Sequence, residues 1–408
     1  MAGVTLPNPR LMSLPDFRRL WLIGLIANLV RWLEMLAFGL FAYQVTGSAF
    51  VVALLSMLRL VPMGLFGAFL GVAADRVERR HALIAMVLVS MASVLALGVL
   101  ASLDAIKVWH LAVACFINGI CWAADNPVRR IMVGDVAGPE RMASAMAIDV
   151  ATSNASRIVG PALGGFLLAR YGIASVFWVG AALYCLSLAA ALRVGVRHAS
   201  VRTDRLSFAA SMREGLAWLR GDRRLIGVFV ITVIFNIFGW PFLSMVPIIG
   251  TDYLHLDPKG VGLLASSDGV GGLLGAALIG LFARPAWHGR IYVSAVAVYL
   301  VLAIGFATAA AVPLAVLALF MVGVVGVGFA VLQTTLVYRL APVAMRARLL
   351  GLLSVCIGSG PLGFLYLGFL ADVLTPRVGS VALAAQGILV LLFTRRYWQA
   401  VLRPVAGS

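Results

Sequence analysis

Long apolar runs recur from one end of the chain to the other, separated for the most part by short basic turns. A hydrocarbon core about 30 Å thick takes a helix of about 20 apolar residues. In lipid the backbone has to satisfy its own hydrogen bonds, so each run folds as a spanning helix. The runs predict helices at about 17–45, 49–74, 82–103, 109–133, 143–169, 173–194, 224–250, 260–284, 290–311, 313–339, 348–372 and 378–395, twelve spans in all. Of the 408 residues 62% are hydrophobic and 12% charged, against roughly half apolar in a soluble domain. Little chain remains for a soluble domain, and the reading is an all-α integral membrane protein.

Orientation follows from the arginines. The turn after the second span, Gly71-Val72-Ala73-Ala74-Asp75-Arg76-Val77-Glu78-Arg79-Arg80, sets one acid pair among three arginines, and short Arg-rich loops stay on the cytoplasmic side. With both termini cytoplasmic, the arginines at 10, 18, 19, 76, 79, 80, 141, 193–224, 284, 290, 339, 346, 348, 395, 396 and 403 share one side. Only Lys107, Arg170, Lys259 and Arg377 fall on the other. The N-terminus has no short apolar core with a cleavage site, so its first apolar run is expected to remain as a span.

The longest polar interval, Gly195 to Arg224, divides the chain six spans from six. The expected parts are a bundle at 1–197, a cytoplasmic linker at 198–222 and a bundle at 223–408. Within the linker Phe208, Met212, Leu216 and Leu219 share a helical face opposite Arg213, Glu214 and Arg220, the pattern of a surface helix. The halves echo each other: Gly160-Pro161-Ala162-Leu163-Gly164 in the fifth span has a counterpart in Gly360-Pro361-Leu362-Gly363 in the eleventh. Parallel internal repeats mark many secondary transporters, whose substrate site lies between the halves near the midplane.

Several chemistries are excluded by what the chain contains. The net charge of +16 is dispersed between apolar runs rather than gathered on a folded face, so topology and anionic membrane lipid account for it better than nucleic acid. With no G-x-x-x-x-G-K-[ST] loop and only Lys107 and Lys259 as lysines, the usual ATPase phosphate cradle cannot form. No HExxH, nucleophile elbow or paired catalytic carboxylates point to an enzyme. Cys115, Cys121, Cys185 and Cys356 lie in apolar runs and read as buried thiols, and the five histidines, at 81, 110, 198, 255 and 288, show no ligand spacing. Neither a metal nor a cofactor is expected.

Charges inside the spans are the candidates for function, because an ionisable group in hydrocarbon is expensive and faces a cavity or a partner. Asn28, Arg31 and Glu34 are three apart on one face of the first helix near its midplane, with Arg59 at similar depth in the second. Glu34 is the first candidate for carrying a proton, with Arg31 and Arg59 as its partners or as contacts for an anionic group. A permanent bridge from Glu34 to Arg31 or Arg59 that only sets register stays open beside it. Asn118, Trp122, Asp125 and Arg129 form a polar stripe on the fourth span, in which Asp125 and Arg129 read as a gating or bracing pair for the Asp75 loop, and Asp125 also as a lesser proton candidate. Arg157 could compensate Glu34 or Asp125 across the bundle, while Asp149 is placed near the membrane surface, solvated or structural. Asp268 is the second proton candidate and the only acid well inside a span of the second half. Asn236, Trp240, Gln333 and Tyr338 line a cavity or simply pack between helices. Gly67 with Gly71, and Gly269, Gly271, Gly272 and Gly275, read as close-packing residues. Gly160-Pro161 and Gly360-Pro361 read as bends on which the halves rock.

These residues resemble the major facilitator superfamily. Its loop signature, Gly-x-x-x-Asp-Arg-x-Gly-Arg-Arg, is met by Gly71, Asp75, Arg76, Arg79 and Arg80, and departed from at Glu78, where the family has glycine. Arg129 is placed with this gating loop. The run Gly160-Pro161-x-x-Gly164-Gly165 resembles the motif of that superfamily's antiporters. A narrower resemblance is to its drug-efflux and siderophore-exporter branch, the macrolide-efflux and enterobactin-exporter kind. It rests on Asp16-Phe17-Arg18-Arg19-Leu20-Trp21, Val45-Thr46-Gly47-Ser48, Asn126-Pro127-Val128-Arg129-Arg130, Asn154, Arg157 and Glu214-Gly215-Leu216. The resemblance implies two pseudo-symmetric six-helix bundles in a bacterial cytoplasmic membrane, functional as a monomer.

Together these readings lead to the expectation of a secondary carrier exporting a small amphipathic molecule, such as a drug, siderophore or other anionic metabolite, in exchange for protons. Uptake, or lysophospholipid flipping on the same fold, is the first alternative. A non-transporting membrane sensor is the alternative from another class.

Overall fold

The structure, a computed structural model, describes residues 9–74, 77–195, 208–342 and 345–402, and every regular element among them is a helix. The first half of the chain supplies α1 (Pro15–Thr46), α2 (Ala49–Ala74), α3 (Arg79–Ser102), α4 (Val108–Asp125), α5 (Met142–Tyr171) and α6 (Ile173–Leu192). The linker helix is α7 (Phe208–Leu219). The second half supplies α8 (Arg223–Ile234), α9 (Pro258–Phe282), α10 (His288–Ala307), α11 (Val312–Leu340), α12 (Arg346–Ile357), α13 (Gly360–Val373) and α14 (Pro376–Phe393). Among the described residues eleven helical runs are long and apolar enough to cross a bilayer. The fifth predicted span, α5, has 30 residues but falls below the others in hydropathy because Asp149, Asn154, Arg157 and several hydroxyls lie on it.

Proline decides where the spans depart from simple rods. Pro127 offers no N–H, and α4 widens there into a π-helical turn, Asn126–Arg130, before continuing as Ile131–Ala137. The seventh span passes from α8 through a π-helical turn (Phe235–Gly239) and a 3₁₀ stretch (Trp240–Met245) containing Pro241, then ends as Val246–Asp252 with Pro247 in its first turn. The two Gly-Pro runs, alike in sequence, differ in structure. Pro161 sits inside the unbroken α5, whereas the eleventh span breaks at Gly358–Ser359 and Pro361 opens α13, where a missing N–H costs nothing.

The chain forms two compact units: Met1–Val45, Leu58–Thr203 and Asp257–Ser266 in one, Thr46–Met57, Asp204–Leu256 and Ser267–Ser408 in the other. The first residues of α2 therefore belong with the second half of the chain, and the first of α9 with the first half.

In the first unit Leu33, Ala37, Leu167 and Val176 form a buried core of α1, α5 and α6. Two glycines let α5 ride directly on α1: a Cβ on Gly160 would lie 2.5 Å from Trp32 Cβ, and one on Gly164 would lie 2.9 Å from the Leu33 carbonyl. A neighbouring face of α5 meets the start of α9, where a Cβ on Gly165 would lie 3.0 Å from Gly262 Cα and Ser266 Oγ donates to the Ile158 carbonyl at 2.7 Å.

In the second unit Phe235, Tyr292, Tyr299 and Phe329 make an aromatic core, with Phe235 stacked on Phe329 at 3.8 Å between centroids. Backbone meets backbone between α9 and α11, where Cβ atoms on Gly271, Gly275 and Gly323 would collide with the carbonyls of Phe320, Val324 and Asp268. The start of α2 meets α13, where a Cβ on Gly368 would lie 2.9 Å from Ala53 Cβ. Linker helix α7 packs along α12, with Arg348 donating to Glu214 at 2.8 Å.

Two sequence expectations need correction. Leu219 is buried but Leu216, assigned to the same apolar face, is 42% exposed, because α7 rests on α12 along a narrower strip at the buried Gly215, where an added Cβ would lie 3.6 Å from Arg348 Cβ. The side chains of Phe208 and Met212 lie outside the described residues. Cys185, expected to be buried, is exposed on α6, since an apolar helix in lipid has an outward face as apolar as its inward one; all four cysteines are free.

Candidate functional site

The charged residues of the first spans converge inside the first unit. Glu34 on α1 is 2% exposed. Its Oε2 accepts from Asn118 Nδ2 of α4 at 2.8 Å and lies 3.6 Å from Arg59 Nη2 of α2. Its other oxygen, Oε1, is buried without a hydrogen-bond partner. Arg59 is itself pinned from three sides, donating to the Arg31 carbonyl at 3.0 Å, reaching Cys115 Sγ at 3.9 Å and lying 5.5 Å over the Phe38 ring. Desolvated arginine stacks well on aromatic faces. Arg31 does so too, 4.5 Å over Trp122, while donating to Asn28 Oδ1 at 3.0 Å. Asn28 in turn donates to the Gly24 carbonyl and accepts from Ser153 of α5.

Arg31, Glu34, Arg59, Asn118, Trp122 and Asp125 line one cavity of this unit. Its far wall is Ser90 of α3 with Tyr184 and Ser187 of α6, which the sequence reading missed. The signal available was Tyr184-x-x-Ser187, two polar groups one turn apart in an otherwise apolar helix. The sequence-predicted set thus divides: these first-half residues share a cavity within one unit, while Asn236, Trp240 and Gln333 lie in the other.

Toward the Arg79 end of the bundle, Arg129 is 1% exposed and held by two carboxylates. It donates to both Asp125 oxygens at 2.6 and 2.9 Å, and to Asp149 Oδ1 of α5 at 2.7 Å. The bidentate fork matches guanidinium to carboxylate. Gly24 makes room for it, since a Cβ there would lie 2.6 Å from Arg129 Cζ. Asp149 is therefore a buried partner, 5% exposed, rather than a solvated surface group, because α5 turns that face toward α4. Arg157 lies 5.2 Å over the Trp32 ring, while the charged neighbours of Glu34 are Arg59 and Arg31.

The gating loop is partly described. Asp75 and Arg76 lie outside the described residues, and Gly71 falls in the last turns of α2. Arg79 pairs with Asp135 at 3.1 Å, and Arg80 donates to the Leu192 carbonyl that ends α6 at 2.7 Å, a favourable place for a cation. Glu78, where the signature has glycine, pairs with His81 at 3.0 Å.

In the second unit Asp268 is buried on α9 where that helix presses on α11. Asn236 donates to the Thr232 carbonyl of its own helix at 2.8 Å, Trp240 meets Phe364 edge-on at 5.7 Å, and Gln333 is buried on α11. Gly360 packs against Trp240 and Asn236. Tyr338 is 48% exposed, with Arg346 5.9 Å over its ring. Among the described residues no group of histidine, cysteine and carboxylate stands at metal-binding distance.

A polytopic helical chain with buried, paired charges in its spans fits the class of membrane transporters. More narrowly, the chain belongs to the transmembrane secretion effector family of the major facilitator superfamily, which it matches over residues 11–405. It is 28% identical over 369 residues to the multidrug efflux pump Tap of Mycolicibacterium fortuitum, covering 86% of this chain and 87% of that one. It is 24% identical over 275 residues to macrolide efflux protein A of Streptococcus pyogenes, covering 65% of this chain and 66% of that one. The chain thus spans just under two thirds of that relative. It is also 20% identical over 244 residues to the staphyloferrin A transporter of Staphylococcus aureus, covering 60% of this chain and 61% of that one. Among solved structures, the nucleoside transporter NupG superposes with a TM-score of 0.75 over 95% of this chain and all of its own, at 13% identity. A bacterial homologue of the human lysosomal transporter Spinster gives 0.70 over 98% of this chain and all of its own, at 14% identity. These likenesses show the fold.

Proposed function

We propose that the protein is a secondary carrier of a bacterial cytoplasmic membrane, both termini cytoplasmic, that exports a small amphipathic molecule in exchange for protons by alternating access. The relatives named for macrolide, multidrug and staphyloferrin transport support export of compounds of that kind. The observation that carries the coupling is Glu34: one oxygen engaged by Asn118 and Arg59, the other buried without a partner, in a cavity shared with Arg31 and Trp122. An acid so placed has two sets of interactions to choose between. Ionised, it neutralises Arg59; protonated, it releases that cation and offers a new donor. A proton gained or lost at Glu34 therefore redistributes charge among α1, α2 and α4, which is what coupling asks of a residue. Asp268, buried in the other unit, is the second site for the same role.

The test is internal pH in proteoliposomes while macrolides, siderophores, cationic and anionic drugs and lysolipids are added in turn. The expected result is proton movement evoked by at least one compound and lost in Glu34→Gln. Full proton-coupled transport in Glu34→Gln would remove Glu34 from the role, and the same result in Asp268→Asn as well would refute coupling through either.

A further inference from the structure

The cavity beside Glu34 lies wholly within the first unit. Two polar atoms of the residues that line it have no hydrogen-bond partner among the described residues: Glu34 Oε1 and Ser187 Oγ of α6, on side chains from residues 2% and 0% exposed. A buried oxygen left unbonded is costly, so something polar belongs against both.

The cavity is long and thin. Along α1 its wall runs from Ile23 to Glu34, about 16 Å of helix axis, yet its volume is about 50 Å³. A drug-sized molecule needs roughly 300 Å³ or more, whereas a water needs about 10–15 Å³. The slot therefore takes a file of a few waters and excludes an amphipathic cargo. At its other end it reaches Asp125, whose side chain is 17% exposed.

Hydroxyls line the wall opposite α1. Tyr184 and Ser187 are one turn apart on α6, with Ser90 of α3 on the same wall. The charged and titratable groups that face Glu34 are Arg31 of its own helix, Arg59 of α2, Cys115 of α4 and Tyr184 of α6. Arg31 and Arg59 disfavour a free hydronium ion beside them, so the passage of a proton falls to hydroxyls, which donate and accept together.

We propose that this slot is a proton path: waters between Asp125 and Glu34 carry the proton inside the first unit, Tyr184 and Ser187 relay it, and the transported molecule does not enter. The proposal rests on the reading of Glu34 as the proton carrier. Each relay hydroxyl gives its proton toward Glu34 Oε1 and takes one from the water on its Asp125 side. Every relay group is thus restored, and only Glu34 gains a proton and loses its charge.

The test follows the carboxylic-acid infrared band of Glu34 in the detergent-solubilised full chain after a step from alkaline to acid pH, with no transported compound present. The band is assigned by its loss in Glu34→Gln. Ser187→Thr keeps the hydroxyl, and Ser187→Val has nearly the same shape without it. In Ser187→Val and in Tyr184→Phe the band is expected to rise about fivefold more slowly, the weight of one hydrogen bond, to the parent's final height. In Ser187→Thr it is expected to rise at the parent's rate. Equal rates in all these proteins, or equal slowing in Ser187→Thr and Ser187→Val, would overturn the path and leave Glu34 as the carrier. A lower final height at the parent's rate would make the hydroxyls ligands of the carboxyl and overturn the path as well. No Glu34 band at any pH at which the chain stays folded would refute Glu34 as the carrier, and the path with it.

Discussion

Arg129 holds Asp125 of α4 and Asp149 of α5 in the interior of the first unit. Breaking a buried ion pair by removing one partner costs about 3–5 kcal/mol, since the remaining charges stay desolvated and opposed. Arg129→Met is therefore expected to lower the melting temperature in detergent markedly and Asp149→Asn to lower it less, as the amide still accepts a bond; equal melting of all three proteins would show the trio to be incidental. Asp125 and Arg129 were legible in the sequence as a pair because i and i+4 meet on a helix. Asp149 was not, because depth counted along a chain does not tell which way a helix face turns. Glu34, Arg31 and Arg59 were legible for the opposite reason: charges in hydrocarbon have few places to go. Which oxygen of Glu34 is engaged, and by Asn118, needed the packing of three helices.

The two Gly-Pro runs show what repeats in sequence convey about elements. Both read as bends, yet one lies within a continuous helix and the other opens a new one, because a proline's effect depends on whether the preceding turn exists. Bend and packing are separable by mutation. Gly160→Leu would drive a side chain into Trp32 and the α1 backbone, and is expected to lose stability along with transport. Pro161→Ala restores a backbone N–H without touching those contacts. Its expected outcome is normal melting with slower substrate-evoked proton flux, and unchanged flux would dismiss the bend as a working part. The widened turns after Asp125 and at Phe235–Gly239 were not predicted, although Pro127, Gly239 and Pro241 were in view. Proline marks a disturbance in the ladder but not how the chain absorbs it.

At the scale of the whole molecule, the helical class and eleven of the twelve predicted spans followed from the length and hydropathy of the runs, since lipid leaves the backbone few choices. The placing of two helix starts with the opposite half of the chain did not, for it depends on contacts between residues hundreds of positions apart. The division falls in the polar linker and also within α2 and α9. A protein of this kind has no spare part: the first half of the chain carries a helix start whose cap is Asp372, and the second carries a helix start seated on Gly165. A cut within 198–207 therefore separates each unit from a helix start that belongs to it. Expressed apart, each is expected to be degraded, and expressed together they are expected to co-purify through one tag. The start of α2 and the start of α9 each complete the unit built mainly from the other half of the chain, so a cut in the linker leaves each piece short of a helix end that its own unit uses.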